Sequence, residues 1–176
     1  LGAYLATVGI PLYVIARKVY DPRLEKLLLD TRAGSGMKNI SRGGNTLDVV
    51  RALKSNSLLG VLVDQDIAVK GVCVDFFGRP AYTATVPAVL SLKYGAPVLP
   101  MFSYRDKQHR HHACIGEPVE VELTGDHDAD VRAIIAGCSH ATEAFIREHP
   151  EQWVWFHERW KTQPSDDDDI TAIDES

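Results

Sequence analysis

The chain has 176 residues, 45% hydrophobic and 24% charged, with a formal net charge of −5, which fits one globular domain with its own core and excludes a disordered or fibrous chain. Three cysteines, Cys73, Cys114 and Cys138, without a CxxC pair, exclude a disulfide framework and a four-cysteine zinc site and fit a reducing compartment. No apolar stretch approaches the roughly 18 to 20 residues of a membrane span, and Leu1 opens an apolar helical pattern with neither a methionine nor a signal-like sequence, so the chain is expected to be a fragment.

In chain order, Leu1 to Val8 continues a helix, and Pro11 to Ala16 is a short apolar run with the pattern of a buried strand. Asp21 is placed to cap a helix with Pro22 at its first position, and Leu24, Leu27 and Leu28 follow at helical spacing until Gly34 and Gly36. Asn45 or Thr46 caps a further helix through Val49, Val50 and Leu53. Leu59 to Val63 is again a short strand, ending at Asp64. Thr85 to Tyr94 reads as a helix closed by Gly95, Pro97 to Tyr104 as a strand, and Ala113 to Leu123 as an extended edge segment. The longest amphipathic helix is expected over Asp128 to Glu148, with Val131, Ile134, Ile135, Cys138, Ala141 and Phe145 on one face. Alternating strands and helices predict an α/β fold, a sheet with helices packed on it. No repeat, linker or second domain is evident: residues 1–164 are expected to form the domain and residues 165–176 an acidic, disordered tail.

Charge is unevenly placed. Residues 1–110 hold 15 Lys and Arg against 8 Asp and Glu, and residues 111–176 hold 4 against 16. A basic first half suits an anionic substrate or an acidic partner, although two ordinary solvated faces explain it equally well.

Three stretches carry chemistry. Val63-Asp64-Gln65-Asp66 places two carboxylates and an amide just past an apolar strand, where open α/β sheets bind ligands and where such residues also cap turns. Asp75-Phe76-Phe77-Gly78-Arg79-Pro80 sets two aromatics beside a turn, suited to an acyl or head-group pocket or to plugging the sheet edge into the core. Between Trp153 and Trp160 lie three tryptophans and a phenylalanine within eight residues, interleaved with His157, Arg159 and, just beyond, Lys161. That composition suits a membrane interface or an Arg-on-Trp stack inside the fold. The acidic second half argues against nucleic acid. His109, His111 and His112 fall in or beside a strand without a ligand spacing and are read as a loop between two strands, not a metal site. No GxSxG, P-loop, GxGxxG or HExxH motif occurs, which removes the commonest hydrolase, NTPase, dinucleotide and zinc-protease readings.

Taken in order, Val63-Asp64-Gln65-Asp66, Phe76-Phe77-Gly78, Ala96-Pro97-Val98-Leu99-Pro100 and Gln152-Trp153-Val154-Trp155-Phe156-His157-Glu158-Arg159-Trp160-Lys161 resemble the lipid A biosynthesis (Kdo₂-lipid A lauroyl/myristoyl) acyltransferase family, from about Leu1 to Pro164. The resemblance implies a glycerolipid-acyltransferase-type mixed sheet with helices packed on it. It implies transfer of a fatty acyl chain from acyl carrier protein to a hydroxyl of a lipid A precursor or related glycolipid, on the cytoplasmic face of the bacterial inner membrane, in lipopolysaccharide biosynthesis. Relatives in bacteria without lipid A acylate phosphatidylinositol mannosides.

The family's general base is a His in a His-x₄-acid motif, expected before Leu1, so no catalytic residue is assigned within the chain and the fragment itself is expected to be inactive. His112 to Glu117 has that spacing, but residues five apart on an extended strand face opposite sides, so it is read as coincidence. The resemblance carries substrate binding to Arg17, Asp64, Gln65, Phe76, Phe77 and Gly78, with Arg17 suited to a phosphate or a developing oxyanion or, equally, to a structural ion pair. It assigns packing and interface contact to the C-terminal tryptophan signature. No cofactor or metal is called for. The alternative is a non-catalytic domain of the same fold that binds a lipid or a partner.

Overall fold

The structure is a computed structural model that describes residues 1–43 and 46–162. Asn45, one of the two residues expected to cap a helix, and the acidic tail at 165–176 fall outside what it describes. Its contacts gather into two compact units, Leu1–Val61 and a second that begins at Leu62.

In the first unit, α1 (Gly2–Thr7) leads into β1 (Leu12–Ala16), α2 (Pro22–Gly34), β2 (Lys38–Ser41), α3 (Thr46–Lys54) and β3 (Leu58–Gly60). The three strands form a parallel sheet in the order β2-β1-β3, with Ala16 opposite Ser41 and Leu12 opposite Leu58. Parallel neighbours need a crossover, and α2 and α3 supply it. Asp21 caps α2 as expected, its carboxylate accepting from the Arg23 N–H at 2.8 Å, with Pro22 at the first helical position. The expected core face of α2 is not buried: Leu24 and Leu27 are exposed. Leu5, Leu12, Ile40 and Ala52 are this unit's buried apolar residues. Strand β2 went unread because only one of its four residues, Ile40, is buried; an edge strand with one inward side chain leaves no period-2 signal. The strand read over Leu59 to Val63 is shorter and earlier, and Leu62 is exposed.

The second unit holds β4 (Gly71–Phe76), β5 (Arg79–Ala84), α4 (Val86–Tyr94), β6 (Met101–Arg105), β7 (His111–Ile115), α5 (His127–Glu148) and a 3-10 turn at Pro150–Gln152. Strands β4 and β5 pair antiparallel, as do β6 and β7. Gly71 is required where it stands, since a Cβ there would meet the Thr83 carbonyl oxygen at 2.6 Å and the Tyr82 ring at 2.7 Å. Helix α4 ends at Gly95, left-handed at φ 66°, as its position after the last apolar residue predicts. Asp126 caps α5 by accepting from the N–H groups of Asp128 and Ala129.

From α5, Val131, Ile134, Ile135 and Cys138 pack on Val72 and Val74 of β4 and Ala88 of α4. Burial pushes the Cys138 thiol up to about 11, so it packs as a small hydrophobe. The chain is thus mixed α/β, with a parallel sheet, two antiparallel hairpins and helices packed on strands. Among the described residues no helix is long and apolar enough to cross a membrane.

Candidate functional site

The C-terminal signature folds back onto the Val63–Asp66 loop and the β4–β5 hairpin. Phe76, the last residue of β4, is 1% exposed and forms a cluster with Ala81 and Ile146, against which Phe77, Trp153 and Trp160 pack. Its ring lies 5.7 Å from Trp153 and 5.8 Å from Trp160, and the Trp160 indole N–H donates to the Phe76 carbonyl at 3.3 Å. Of the two roles open to Phe76, the structure assigns it core packing.

Phe77 and Gly78 are the two central residues of the hairpin turn, both with positive φ, 56° and 74°. Two left-handed residues in succession match the right-handed twist of a hairpin, yet an aromatic side chain at positive φ is strained. Three contacts hold it. The Phe77 N–H donates to the buried Glu143 carboxylate at 2.7 Å, the Arg147 guanidinium lies 4.7 Å over its ring, and the Trp155 ring is 6.1 Å away. Gly78 is exposed, with its N–H donating to Asp75 at 3.2 Å.

Arg159 lies under this cluster and is 2% exposed. Its Nη1 donates to the Tyr82 carbonyl at 2.5 Å, its Nη2 to the Thr83 hydroxyl at 2.6 Å, and its guanidinium stands 4.9 Å over the Phe76 ring. Burial pushes the guanidinium below its ordinary value, opposed by the fields of the Asp66 and Asp64 carboxylates. A guanidinium stays charged even when buried, and the two nearby carboxylates offset part of the cost of taking it out of water. Loop composition alone leaves that proximity invisible.

The loop is fastened at both ends. Asp66 accepts from the Thr162 N–H at 2.7 Å and its hydroxyl at 3.0 Å. His157 sets Nε2 against the Asp64 carbonyl at 3.1 Å and Nδ1 against the Val154 carbonyl at 2.7 Å. A neutral imidazole, with one N–H, donates to only one of these at a time. Asp64 is half-buried and Gln65 exposed. Among the described residues neither side chain makes a hydrogen bond, the Asp64 carboxylate acting on Arg159 only through its field, so a carboxylate and an amide at consecutive positions keep their hydrogen-bonding capacity. Such a pair, one acceptor and one donor–acceptor, can bind neighbouring hydroxyl groups.

Arg17 belongs to the first unit, exposed, directly after β1. Arg42 follows β2, and its N–H donates to the Ala16 carbonyl at 2.9 Å, so two arginines flank the carboxyl edge of the parallel sheet. Sequence reasoning missed Arg42 because it missed β2. It also missed Glu143 and Thr162, whose partners lie 66 and 96 residues away.

Of the histidines, His109 lies in the loop between β6 and β7 as expected, whereas His111 and His112 open strand β7 itself. His112 sets Nε2 against the Asp106 carboxylate at 2.8 Å, and Glu117 is exposed, so the two do not form a pair. Among the described residues no group of three or more His, Cys, Asp or Glu side chains stands close enough to hold a metal ion.

Residues 2–162 match the model of the bacterial lipid A biosynthesis acyltransferase family. A lipid A biosynthesis acyltransferase of Haemophilus influenzae is 26% identical over 170 residues, covering 95% of this chain and 51% of that protein. Phosphatidylinositol mannoside acyltransferases from two strains of Mycobacterium tuberculosis are 24% identical over 151 residues, covering 83% of this chain and 46% of theirs. The chain thus spans about half the length of the curated relatives it matches. A match over nearly every described residue makes this chain a member of the bacterial lipid A biosynthesis acyltransferase family.

Proposed function

We propose that the protein carrying this chain transfers a fatty acyl group from acyl carrier protein to a hydroxyl of a lipid A precursor or a related glycolipid, at the cytoplasmic surface of the bacterial inner membrane. The observation that carries this reading is the Asp64–Gln65 pair. His157 holds the Asp64 carbonyl and Thr162 the carboxylate of the neighbouring Asp66, while among the described residues the side chains of Asp64 and Gln65 make no hydrogen bond and can meet hydroxyl groups of a sugar. In this reading the acceptor hydroxyl is the nucleophile, a His in a His-x₄-acid motif outside the chain takes its proton, and Arg17 stabilises the oxyanion or holds a phosphate. Phe77 and Gly78 border the acceptor, and Phe76 shapes that border from beneath. The excess of Lys and Arg in residues 1–110 favours an acidic donor protein by electrostatic steering.

The test is an acyl-transfer assay on the whole protein with loaded acyl carrier protein and a lipid A precursor or phosphatidylinositol mannoside as acceptor. Asp64→Asn is expected to lower kcat/KM by about 10- to 100-fold, the scale of one hydrogen bond to a charged group. Wild-type protein inactive with every donor and acceptor would leave the non-catalytic, lipid-binding alternative. An active Asp64→Asn variant with unchanged kcat/KM would remove Asp64 from the site.

A further inference from the structure

Val154, Trp155 and Phe156 are 45%, 51% and 92% exposed, three consecutive large apolar residues at the tip of a turn. Residues so exposed are ordinary one at a time, but three in succession mark a contact surface. The turn is already shaped. The Trp155 indole N–H donates to the Pro150 carbonyl at 2.6 Å, and the Val154 carbonyl faces His157 Nδ1 at 2.7 Å. Trp155 is braced edge-on by Trp153 at 4.7 Å and borders Phe77 at 6.1 Å. An indole whose polar end is already satisfied loses no hydrogen bond to water when its ring enters an apolar medium.

The rim of this tip carries both signs. Arg147 lies over Phe77 and pairs with Glu143 at 3.2 Å. Arg79 lies over Trp160 at 5.0 Å. Lys161, with its side chain 70% exposed, stands 3.8 Å from Glu158, and Glu151 is exposed just before the turn. A protruding aromatic tip with a rim of cations and anions complements a zwitterionic head-group layer, whose phosphates meet the guanidinium and ammonium groups and whose ammonium groups meet the carboxylates. A purely basic rim would instead select anionic lipid by charge.

We infer that Val154-Trp155-Phe156 is a membrane-contact wedge, seating its side chains at the head-group level of a zwitterionic phospholipid bilayer, where tryptophan and phenylalanine partition favourably. This rests on the membrane-surface part of the proposed function and adds the residues that make the contact. The wedge adjoins Phe77, so a lipid-borne acceptor rising from the bilayer meets the hairpin turn first.

The experiment is flotation of the 176-residue chain with phosphatidylethanolamine–phosphatidylcholine vesicles at physiological and high salt, read also by tryptophan emission. The wild type is expected to float, with a blue shift and little loss at high salt. Phe156→Ser is expected to reduce partitioning about tenfold, the loss of one phenyl ring from an apolar medium, and Val154→Ser with Phe156→Ser further still. Because Phe156 is nearly fully exposed, the melting temperature is expected to stay at the wild-type value, and Phe156→Trp is expected to restore binding. The inference is overturned if the wild type does not float, if Phe156→Ser floats as well as the wild type, or if binding requires anionic lipid and vanishes at high salt. It is equally overturned if Phe156→Ser acts by dissolving a dimer, shown by a mass that depends on concentration. None of these readouts needs acyl transfer. Vesicle binding lost with Phe156, beside a whole protein that transfers no acyl group, would defeat the proposed reaction and leave the wedge standing, whereas transfer by the whole protein with a chain indifferent to vesicles would do the reverse.

Discussion

Arg159 donates through Nη2 to the hydroxyl of Thr83 at 2.6 Å, 76 residues earlier in the chain, and thereby ties the C-terminal signature to β5 from inside the core. Both side chains are at most 2% exposed, and Nη1 occupies the adjacent Tyr82 carbonyl. Replacing the guanidinium with an apolar side chain strips one buried and one part-buried acceptor of their donors and leaves Asp64 and Asp66 without the cation whose field they balance. Arg159→Met is therefore expected to destabilise the chain by about 2 to 4 kcal/mol. Arg159→Lys is expected to recover only part of this, because one ammonium cannot reproduce the fork that reaches both acceptors. Urea denaturation of the three proteins checks this. A Met variant as stable as the wild type would show that the buried bridge contributes nothing net.

Phe77 occupies a backbone conformation that asparagine and glycine tolerate and most side chains do not. Two variants separate the ring from the conformation. Phe77→Ala and Phe77→Asn both lose the contacts to Arg147 and Trp155, but only asparagine suits a left-handed residue followed by glycine. Phe77→Asn is expected to be more stable than Phe77→Ala by about 1 kcal/mol, measured by urea denaturation. Equal stabilities would mean the turn is not strained. Retaining phenylalanine at such a position fits a surface role for the ring, since a turn selected for stability alone would carry asparagine there.

The long helix α5 and the cap of α2 were legible because their signals are local, a 3.6-residue apolar period in one and Asp21 before Pro22 in the other. The β4–β5 hairpin was not read as strands. Its turn residues are Phe77 and Gly78, where Asn-Gly would have announced it, and what stabilises Phe77 comes from Glu143 on a distant helix. The site divides in the same way. Asp64 and Gln65 stood out by type and by their place after an apolar run, whereas the partners that fix their loop, His157 and Thr162, are joined to it only by tertiary folding. The buried state of Arg159 is likewise a property of the fold, because in sequence it is one cation among aromatics.

Asp106 is the acid whose titration should be visible in stability. The hydrogen bond with His112, then the Arg110 N–H, the Arg110 guanidinium and the Gln108 N–H, hold its carboxyl down at about 2, from an ordinary 3.8. A carboxyl depressed by folding stabilises the folded state above the unfolded-state value, and that contribution is lost as pH falls through the folded one. The window is thus from about 3.8 down to about 2. Asp130, buried and accepting from Thr124 and Gly125, is shifted the same way, so the wild-type curve alone does not isolate Asp106. The difference between wild type and Asp106→Asn does. The melting temperature of the variant is expected to lie below that of the wild type at pH 5 to 6 and to converge on it towards pH 2, because the protonated acid no longer makes the charged contacts that asparagine lacks. Parallel curves, with a constant difference across that range, would show that Asp106 holds the hairpin by shape and not by charge.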